Sequence, residues 1–223
     1  MHVETSSAIC SVSLSQNEQH LETIEGSYAN SHATQLTPFI EAVCKNQGLS
    51  CEDLFALSFS AGPGSYTGLR IGLSTLKGIS FLLNKPIVFI NTLDAIASAM
   101  IAEFDGKDYL YCPIIDAKRR EVYTSTYNNK GERLSEYKSL FLAENDEFKK
   151  IYNKNNIILG GDGTKYTQNS LYYNDITHSS ILKPSSKFLI SNAILKILKE
   201  DFENKSFCEP FYLKNPFLNI KKQ

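Results

Sequence analysis

The sequence predicts an α/β fold with two similar lobes. Each half opens with two strands joined by a short polar turn, and in each half a later buried strand leads into a glycine-rich turn. The second half therefore repeats the order of the first, as a duplicated domain does. We expect lobes at residues 1–105 and 106–223, with the last helix packing back on the first lobe. The 42% of hydrophobic residues is sufficient for their cores.

The first lobe is predicted to begin with three strands. Residues 1–4 form a short strand, and apolar and polar residues alternate from Ala8 to Leu14 to give the second. Residues 19–24 give a third, antiparallel strand. This opening resembles that of actin-like and Hsp70-like ATPase domains, whose first turn carries an acidic residue and glycines that admit nucleotide phosphates and magnesium.

The corresponding turn in this chain has the acid but not the glycines. Glu4 is followed by Thr5, Ser6, Ser7 and Ala8, and backbone amides that need glycine to come close to a phosphate are not supplied. We therefore expect a degenerate phosphate site. Glu4 either binds a metal through water or is simply the polar end of an edge strand.

The first helix is predicted over residues 31–47. Pro38 should bend it, and Gly48 suits the position just past its end. Its apolar stripe consists of Ala33, Leu36, Ile40 and Val43. His32 lies in its first turn, and no second histidine is three or four positions away to share a metal.

A strand, a glycine turn and a long helix then form the most distinctive stretch, residues 54–80. The strand covers residues 54–59, and the hydroxyl of Ser65 or Thr67 can cap the helix that follows the turn. The helix has an apolar stripe at Leu69, Leu73 and Leu76.

Three glycines recur four residues apart along this helix, at positions 64, 68 and 72. Each interior glycine costs about 1 kcal/mol relative to alanine, so we expect something to approach the backbone closely there. A phosphate group, a second helix and the protein's own sheet are the alternatives. The spacing is one residue longer than the dinucleotide fingerprint, and the lysine of a P-loop is missing.

The second lobe is predicted to repeat this plan. The boundary is expected at the polar turn of residues 104–107. Before this boundary, a strand at residues 86–90 and a helix at residues 92–102 complete the first lobe. After it, predicted strands cover residues 109–115, 121–127 and 157–159, and a last helix runs to about residue 200, capped by Ser185 or Ser186.

Two turns of the second half correspond to nucleotide-binding turns of actin-like ATPases. Asp116 begins the turn between the second pair of strands, where the acid is kept and the glycines are missing, so it is either a relic or a catalytic base. Gly160 and Gly161 begin a glycine-rich turn at the place of the adenosine-binding turn, although ordinary turn chemistry accounts for it equally.

Composition excludes several classes of protein. Lysine and arginine (23) nearly balance aspartate and glutamate (24), which argues against a chain that grips RNA phosphates alone. The cluster at residues 118–120 is either a local basic patch or a solvated hairpin turn. Five dispersed cysteines indicate reduced thiols and no zinc ribbon. No apolar run reaches the roughly 20 residues that span a bilayer, and no signal peptide is evident, so we expect a cytoplasmic protein.

Five segments together resemble one family. GPGSYTGLRIGLSTLKGI (residues 62–79) is similar to the signature of the TsaB family, also called YeaZ, of tRNA threonylcarbamoyladenosine synthesis. ETSSAICSVSL, SHATQLTPFIEAV, DAKRREVY and GGDG occur in the order typical of that family. The resemblance covers most of the chain, strongly up to about Tyr127.

This resemblance implies a two-lobed actin-like fold with a degenerate nucleotide site and no catalysis by the chain itself. It implies an accessory subunit that pairs with and activates the TsaD transferase, which modifies the adenosine after the anticodon. TsaE, an ATPase, is a further implied partner. The complex would use ATP or ADP and magnesium that this chain does not bind tightly alone, and would reach tRNA only through its partners. A homodimer is implied when the chain is alone.

The resemblance also implies where the sites lie. The two helices of the first lobe form the partner interface, with contacts expected at His32, Leu36, Phe39, Ile40, Gly68, Arg70, Gly72 and Leu73. The vestigial nucleotide site is expected at Glu4, Thr5, Asp116, Gly160 and Gly161. TsaD carries an H-x-x-x-H metal pair that this chain lacks, so no metal site and no catalytic residue are expected.

Two alternatives remain open. An ATP-dependent small-molecule kinase or acyl-phosphate transferase of the same superfold would use Glu4, Asp116 and the turn at residues 160–163. A self-dimerising scaffold with no role in tRNA modification would need no such site. Tight binding of ATP and magnesium by the isolated chain would favour the first alternative.

Overall fold

The computed structural model describes residues 1–26, 32–141, 156–167 and 176–214. Within these ranges it contains two five-stranded sheets. The first is built from β1 (His2–Glu4), β2 (Cys10–Gln16), β3 (Gln19–Gly26), β4 (Leu57–Gly62) and β5 (Ile87–Asn91). Its strand order is β3-β2-β1-β4-β5, in which β1 to β3 pair antiparallel and β1, β4 and β5 pair parallel.

The second sheet repeats this topology strand for strand. It is built from β6 (Leu110–Asp116), β7 (Glu121–Thr124), β8 (Lys138–Phe141), β9 (Ile157–Gly160) and β10 (Thr177–His178). Its order is β8-β7-β6-β9-β10, with antiparallel pairs in the hairpins and parallel pairs from β6 to β10. The predicted duplication is therefore confirmed, and the fold is a two-lobed, actin-like α/β fold.

In the described part of the chain, four α-helices cover the sheets. They are α1 (His32–Asn46), α2 (Tyr66–Leu83), α3 (Thr92–Glu103) and α4 (Ile190–Leu198). Helices α1 and α2 pack side by side on one face of the first sheet, where Leu36, Ile40, Leu69 and Leu73 join its core. Pro38 lies inside α1 without ending it, and Gly48 follows α1 with a positive φ of 68°.

One helix from each predicted lobe packs on the other lobe: α3 packs on the second sheet and α4 packs on the first. Strand β5 turns Ile87 to the core under α1 and α2, and it turns Val88 and Ile90 to the opposite face, as alternation in a strand requires. On that opposite face α4 contributes Ala193. Helix α3 instead sends Met100 and its apolar neighbours into the second lobe's core, beside β6 and β9. The last helix thus packs on the first sheet.

Two predicted boundaries need correction. Strand β4 begins at Leu57, not at residue 54, because residues 51–53 form a 3-10 turn and the sheet pairing starts where Leu57 N donates to Pro86 O at 2.9 Å. The last helix begins with a 3-10 turn, Ser186–Leu189, and neither Ser185 nor Ser186 caps it with a side chain. The Ser186 hydroxyl bonds to Ser11 Oγ at 2.6 Å, which ties this turn to β2.

Candidate functional site

A cleft with a volume of about 810 Å³ separates the two lobes. It lies where β1 and β6, the corresponding strands of the two sheets, end in their hairpin turns. Its polar lining consists of hydroxyls at Ser6, Ser7, Ser65 and Thr67, carboxylates at Asp116 and Asp162, and amines at Lys118, Lys165 and Lys214.

Glu4 and Thr5 lie beneath the first-lobe wall of this cleft. Both side chains are completely buried, and neither lines the open space. One carboxylate oxygen of Glu4 accepts a hydrogen bond from Ser6 N, whereas Glu4 Oε2, Thr5 Oγ1 and Ser6 Oγ are buried with no hydrogen-bond partner. Burial raises the pKa of Glu4 to about 7. Glu4 therefore titrates near neutral pH.

Asp116 has the opposite electrostatic state on the second-lobe wall. It accepts hydrogen bonds from Lys118 N (2.8 Å), Lys165 Nζ (2.7 Å), Tyr166 Oη (2.9 Å) and Lys118 Nζ (3.1 Å). Burial opposes ionisation, but these donors outweigh it and lower the pKa of Asp116 to about 2. Asp116 is thus a fixed carboxylate with its acceptor positions filled, which is a poor starting point for a general base.

Asp162 supports the turn that holds Asp116. Its Oδ1 accepts from Asp116 N at 2.8 Å, and burial together with the nearby Asp116 charge raises the pKa of Asp162. The adjacent Gly160 and Gly161 are buried against the chain itself. A Cβ at Gly161 would lie 2.3 Å from Ile114 O, so this glycine allows the turn to pack on β6.

Several backbone amides of both hairpin turns donate to the protein's own acceptors. In the first turn Ser6 N donates to Glu4, and Ile9 N donates to Ser7 Oγ at 3.1 Å. In the second turn Ala117 N donates to Glu121 O at 2.9 Å, besides the amides of residues 116 and 118 already described. A phosphate held here would have to displace these acceptors.

The glycine stripe of α2 packs against its own sheet. A Cβ at Gly68 would lie 2.1 Å from Thr5 O, and one at Gly72 would lie 2.3 Å from Thr5 Oγ1 and 2.6 Å from Phe59 Cε2. The expectation that a partner helix approaches these two glycines is therefore wrong, because the turn after β1 already occupies that space. Ser65 caps α2 as expected, accepting from Gly68 N at 3.2 Å.

Most of the other predicted contact residues are also internal. Leu36, Ile40 and Leu73 are at most 5% exposed in the core of the first lobe. His32 is 9% exposed and its Nε2 donates to Ile9 O at 3.1 Å. Phe39 is half-buried, and Arg70 is exposed. Of the eight residues, Phe39 and Arg70 are the two whose side chains are more than marginally exposed.

A different set of residues forms the exposed surface of the helix pair. We call this surface the outer face; it consists of Ala33, Thr37, Pro38 and Glu41 on α1 and of Arg70, Ser74, Gly78, Phe81 and Leu82 on α2. A Cβ at Gly78 would meet nothing within 4 Å. Phe81 and Leu82 are 86% and 81% exposed. Small residues beside bare apolar side chains are typical of a docking surface for another helix.

The sequence also indicates that Gly78 faces away from the core, although the regular spacing of the other three glycines draws attention away from it. At 3.6 residues per turn, Gly78 lies nearly opposite Leu69, Leu73 and Leu76, so the helical phase places it away from the core. Lys165 and Tyr166, which hold Asp116, are about 50 positions away in the chain, and no local pattern connects them to it.

Two further observations concern metals and membranes. Within the described ranges, no three histidine, cysteine, aspartate or glutamate side chains are grouped so that they could hold a metal ion. The five cysteines are all free. None of the helices in the part of the chain that the structure describes is long and apolar enough to cross a membrane.

Comparison with known proteins identifies relatives of this chain. Residues 12–159 match the family model described as TsaD: tRNA N6-adenosine threonylcarbamoyltransferase. The chain is 26% identical to the tRNA threonylcarbamoyladenosine biosynthesis protein TsaB of Haemophilus influenzae, over 96% of this chain and 92% of that protein. It is 30% identical to the TsaB of Buchnera aphidicola subsp. Schizaphis graminum, over 84% and 89% of the two chains.

A solved structure shares the fold. YeaZ from Pseudomonas aeruginosa superimposes with a TM-score of 0.80 at 23% sequence identity, and the match covers 95% of this chain and 97% of that one. Both lobes are therefore present in the solved structure.

Proposed function

Because this chain belongs to the TsaB family, also called YeaZ, and carries the TsaD family domain over residues 12–159, we propose that it is a non-catalytic accessory subunit of a tRNA-modifying complex. It takes part in tRNA threonylcarbamoyladenosine biosynthesis, the process for which its relatives are named. In this proposal it pairs with and activates the TsaD transferase, and the TsaE ATPase joins the assembly.

The proposed pairing with TsaD rests on the exposed small and apolar residues of the outer face of α1 and α2. Gly78 lies at its centre on α2 with open space before it, and the two large apolar side chains one turn further are over 80% exposed. Covering Phe81 and Leu82 would stabilise a complex by about 1.5 to 3 kcal/mol for each side chain that becomes fully buried. When the partner is absent, the same face pairs two copies of this chain.

The state of the cleft supports an accessory role. Asp116 accepts four hydrogen bonds, and the amides of Ser6, Asp116, Ala117 and Lys118 in the two hairpin turns donate to acceptors within the chain. The contribution of the chain is then positional: it holds the partner's cleft in its productive shape and supplies no reacting group. Nucleotide and magnesium are used by the assembled complex.

Substitutions on the outer face test this proposal. Phe81→Glu and Gly78→Leu should each weaken the complex with the TsaD of the same organism by about fivefold or more, because one places a charge in an apolar contact and the other overfills it, at roughly 1 to 3 kcal/mol. The measurements are the dissociation constant and the yield of modified tRNA from the reconstituted complex. The thermal transition of each isolated variant should stay close to that of the wild type.

Leu198→Glu is the matched control. Leu198 is 76% exposed on α4, which lies on the opposite face of the first sheet. It should bind the partner as the wild type does. Wild-type affinity of Phe81→Glu and Gly78→Leu would exclude the outer face as the docking surface.

The rival kinase or acyl-phosphate transferase has one observation in its favour. Three consecutive residues in and beneath the cleft wall carry buried polar atoms with no hydrogen-bond partner, Glu4 Oε2, Thr5 Oγ1 and Ser6 Oγ, and an unsatisfied buried polar atom calls for an explanation such as a ligand. Calorimetry with ATP and magnesium on the isolated chain distinguishes the two functions. Micromolar binding of ATP that Asp116→Asn abolishes would favour the kinase or transferase. No such binding would favour the accessory role.

A further inference from the structure

The chain after α4 crosses from one lobe to the other over the outer side of α2. We call residues 206–214 the strap. Phe211 N donates to Ala61 O at 2.7 Å, next to the end of β4. Gly62 has a φ of 115°, and a Cβ there would lie 2.4 Å from Phe211 O. Only glycine therefore lets the strap lie this close to the first sheet.

Side chains on α2 hold the strap from below. The ring of Tyr212 packs on the ring of Tyr66 with centroids 4.7 Å apart, and Arg70 Nε donates to Tyr212 Oη at 3.2 Å. About two turns further along α2, Lys77 Nζ donates to Cys208 O at 3.1 Å. The strap thus covers the side of α2 on which Arg70 lies, at the edge of the outer face.

The same segment also grips the second lobe. The Phe211 ring lies 5.5 Å from the ring of Tyr137, whose hydroxyl donates to Asp94 at 2.9 Å. Lys214 forms an ion pair with Glu121. Residues 211–214 line the cleft between the lobes. The strap is therefore a wall of the cleft and a clasp between the lobes.

Most contacts of the strap are separate hydrogen bonds and ring contacts near the protein surface. They include one sheet-like hydrogen bond, two ring contacts and bonds to flexible side chains at the surface, and Phe211 remains 39% exposed. The buried part of the strap is Cys208, which is 8% exposed and packs with Tyr212 on the core of the first lobe. Its thiol is therefore a natural reporter of whether the strap is docked.

We propose that the strap is a displaceable clasp that competes with the partner for the Arg70 end of the outer face. This inference rests on the proposed function, because it takes the partner to dock on α2. Docked, the strap holds the lobes together, packs Tyr212 on the Tyr66 ring and engages Arg70 in a hydrogen bond. Released, it leaves that ring face and that guanidinium donor available to the partner. A strap that is docked nine-tenths of the time lowers the apparent affinity for the partner about tenfold.

The first arm of the test needs no partner. A double variant, Phe211→Ala with Tyr212→Ala, removes both ring contacts. The rate at which Cys208 reacts with a maleimide, located by mass spectrometry, should rise about tenfold, whereas Cys112, which is 1% exposed in the second lobe, should react as slowly as in the wild type. Phe207→Ala is the control, because that ring is 82% exposed and its loss should leave the rate unchanged.

The second arm adds the TsaD-type partner. The double variant should bind it several-fold to tenfold more tightly than the wild type, and the partner should accelerate labelling of wild-type Cys208. Labelling that is unchanged in the double variant would show that the strap is not held as described. A partner that slows labelling, or a double variant that binds more weakly, would make the strap part of the interface and overturn the competition.

The two proposals fail in different ways. If the partner binds neither the wild type nor the double variant, the proposed function and the competition are both wrong, and the labelling arm alone still decides whether the strap is a clasp between the lobes.

Discussion

The two acidic residues that end β1 and β6 have different charge states, because burial dominates at Glu4 and hydrogen-bond donors dominate at Asp116. Glu4 has one unpartnered oxygen and a pKa raised to about 7 by burial, whereas Asp116 keeps a pKa of about 2 because its hydrogen-bond donors outweigh burial. The two hairpins correspond in topology, so the difference arises from the side chains around each acid. At neutral pH only the second wall of the cleft carries a permanent negative charge.

Glu4 should make the stability of the protein depend on pH. Its pKa is higher in the folded chain than in the unfolded one, so the folded state binds the proton more tightly, and stability is lost as pH rises from about 4.5 through about 7. The loss above pH 7 is about 3 kcal/mol. Glu4→Gln, which mimics the protonated acid, should gain on the wild type by about that amount between pH 5 and pH 8.

The measurement is urea unfolding of Glu4→Gln and wild type at pH 5 and pH 8. Glu41→Gln, at an exposed position of α1, should show the same difference from wild type at both pH values. A Glu4→Gln difference that is equally independent of pH would mean that the Glu4 carboxyl titrates normally.

The positions of Glu4 and Asp116 could be predicted from the sequence, but their ionisation states could not. Glu4 and Asp116 were found because each follows a strand in a recognisable hairpin. Lys165 and Tyr166, which ionise Asp116, come from the turn after β9, and only the parallel pairing of β6 with β9 brings them near. A pKa is a property of three-dimensional neighbours, so these states follow only from the fold.

At the scale of the element, the glycines of α2 lie on two different sides of the helix: Gly68 and Gly72 face the protein interior, and Gly78 faces outward. The inner glycines let the helix settle on the turn after β1, where a Cβ at Gly72 would meet Thr5 and Phe59. The outer glycine, Gly78, meets nothing. The sequence pattern correctly predicted close approach to the backbone of this helix, but it could not say which surface approaches, because a glycine has no side chain to report its surroundings.

Alanine substitution should affect folding stability differently at an inward-facing and an outward-facing glycine. Gly72→Ala should cost about 1 to 3 kcal/mol of folding free energy through overpacking, whereas Gly78→Ala should be neutral or stabilising by up to about 1 kcal/mol, since alanine is the better helix former. Urea denaturation measures both. Equal effects of the two variants would contradict the assignment of inner and outer glycines.

At the scale of the whole molecule, the lobes share helices, so neither is complete alone. The first sheet depends on α4 and the turn before it, which cover Val88 and Ile90, while α3 belongs to the core of the second lobe. The duplicated topology was predictable because each half shows the same order of hairpin, strand and glycine turn. The helix exchange required contacts between residues about 100 positions apart, which no local pattern encodes.

Division of the chain between residues 105 and 106 should therefore fail to give a folded first lobe. A fragment of residues 1–105 leaves Val88, Ile90 and Ala95 uncovered, and it should show poor chemical-shift dispersion and no cooperative unfolding transition. Expressed together with residues 106–223, it should recover both. A cooperative, well-dispersed fragment 1–105 on its own would show that the covering helix is dispensable.

The place of α4 also bears on how the chain is made. The strands of the first sheet leave the ribosome early, but the helix that covers Val88 and Ile90 follows about 100 residues later. At the usual 5 to 20 residues per second, one apolar face of a nearly finished sheet is exposed for roughly 5 to 20 s. During that interval the nascent chain is a substrate for chaperones, and the first lobe completes its folding only when synthesis of the second is almost over.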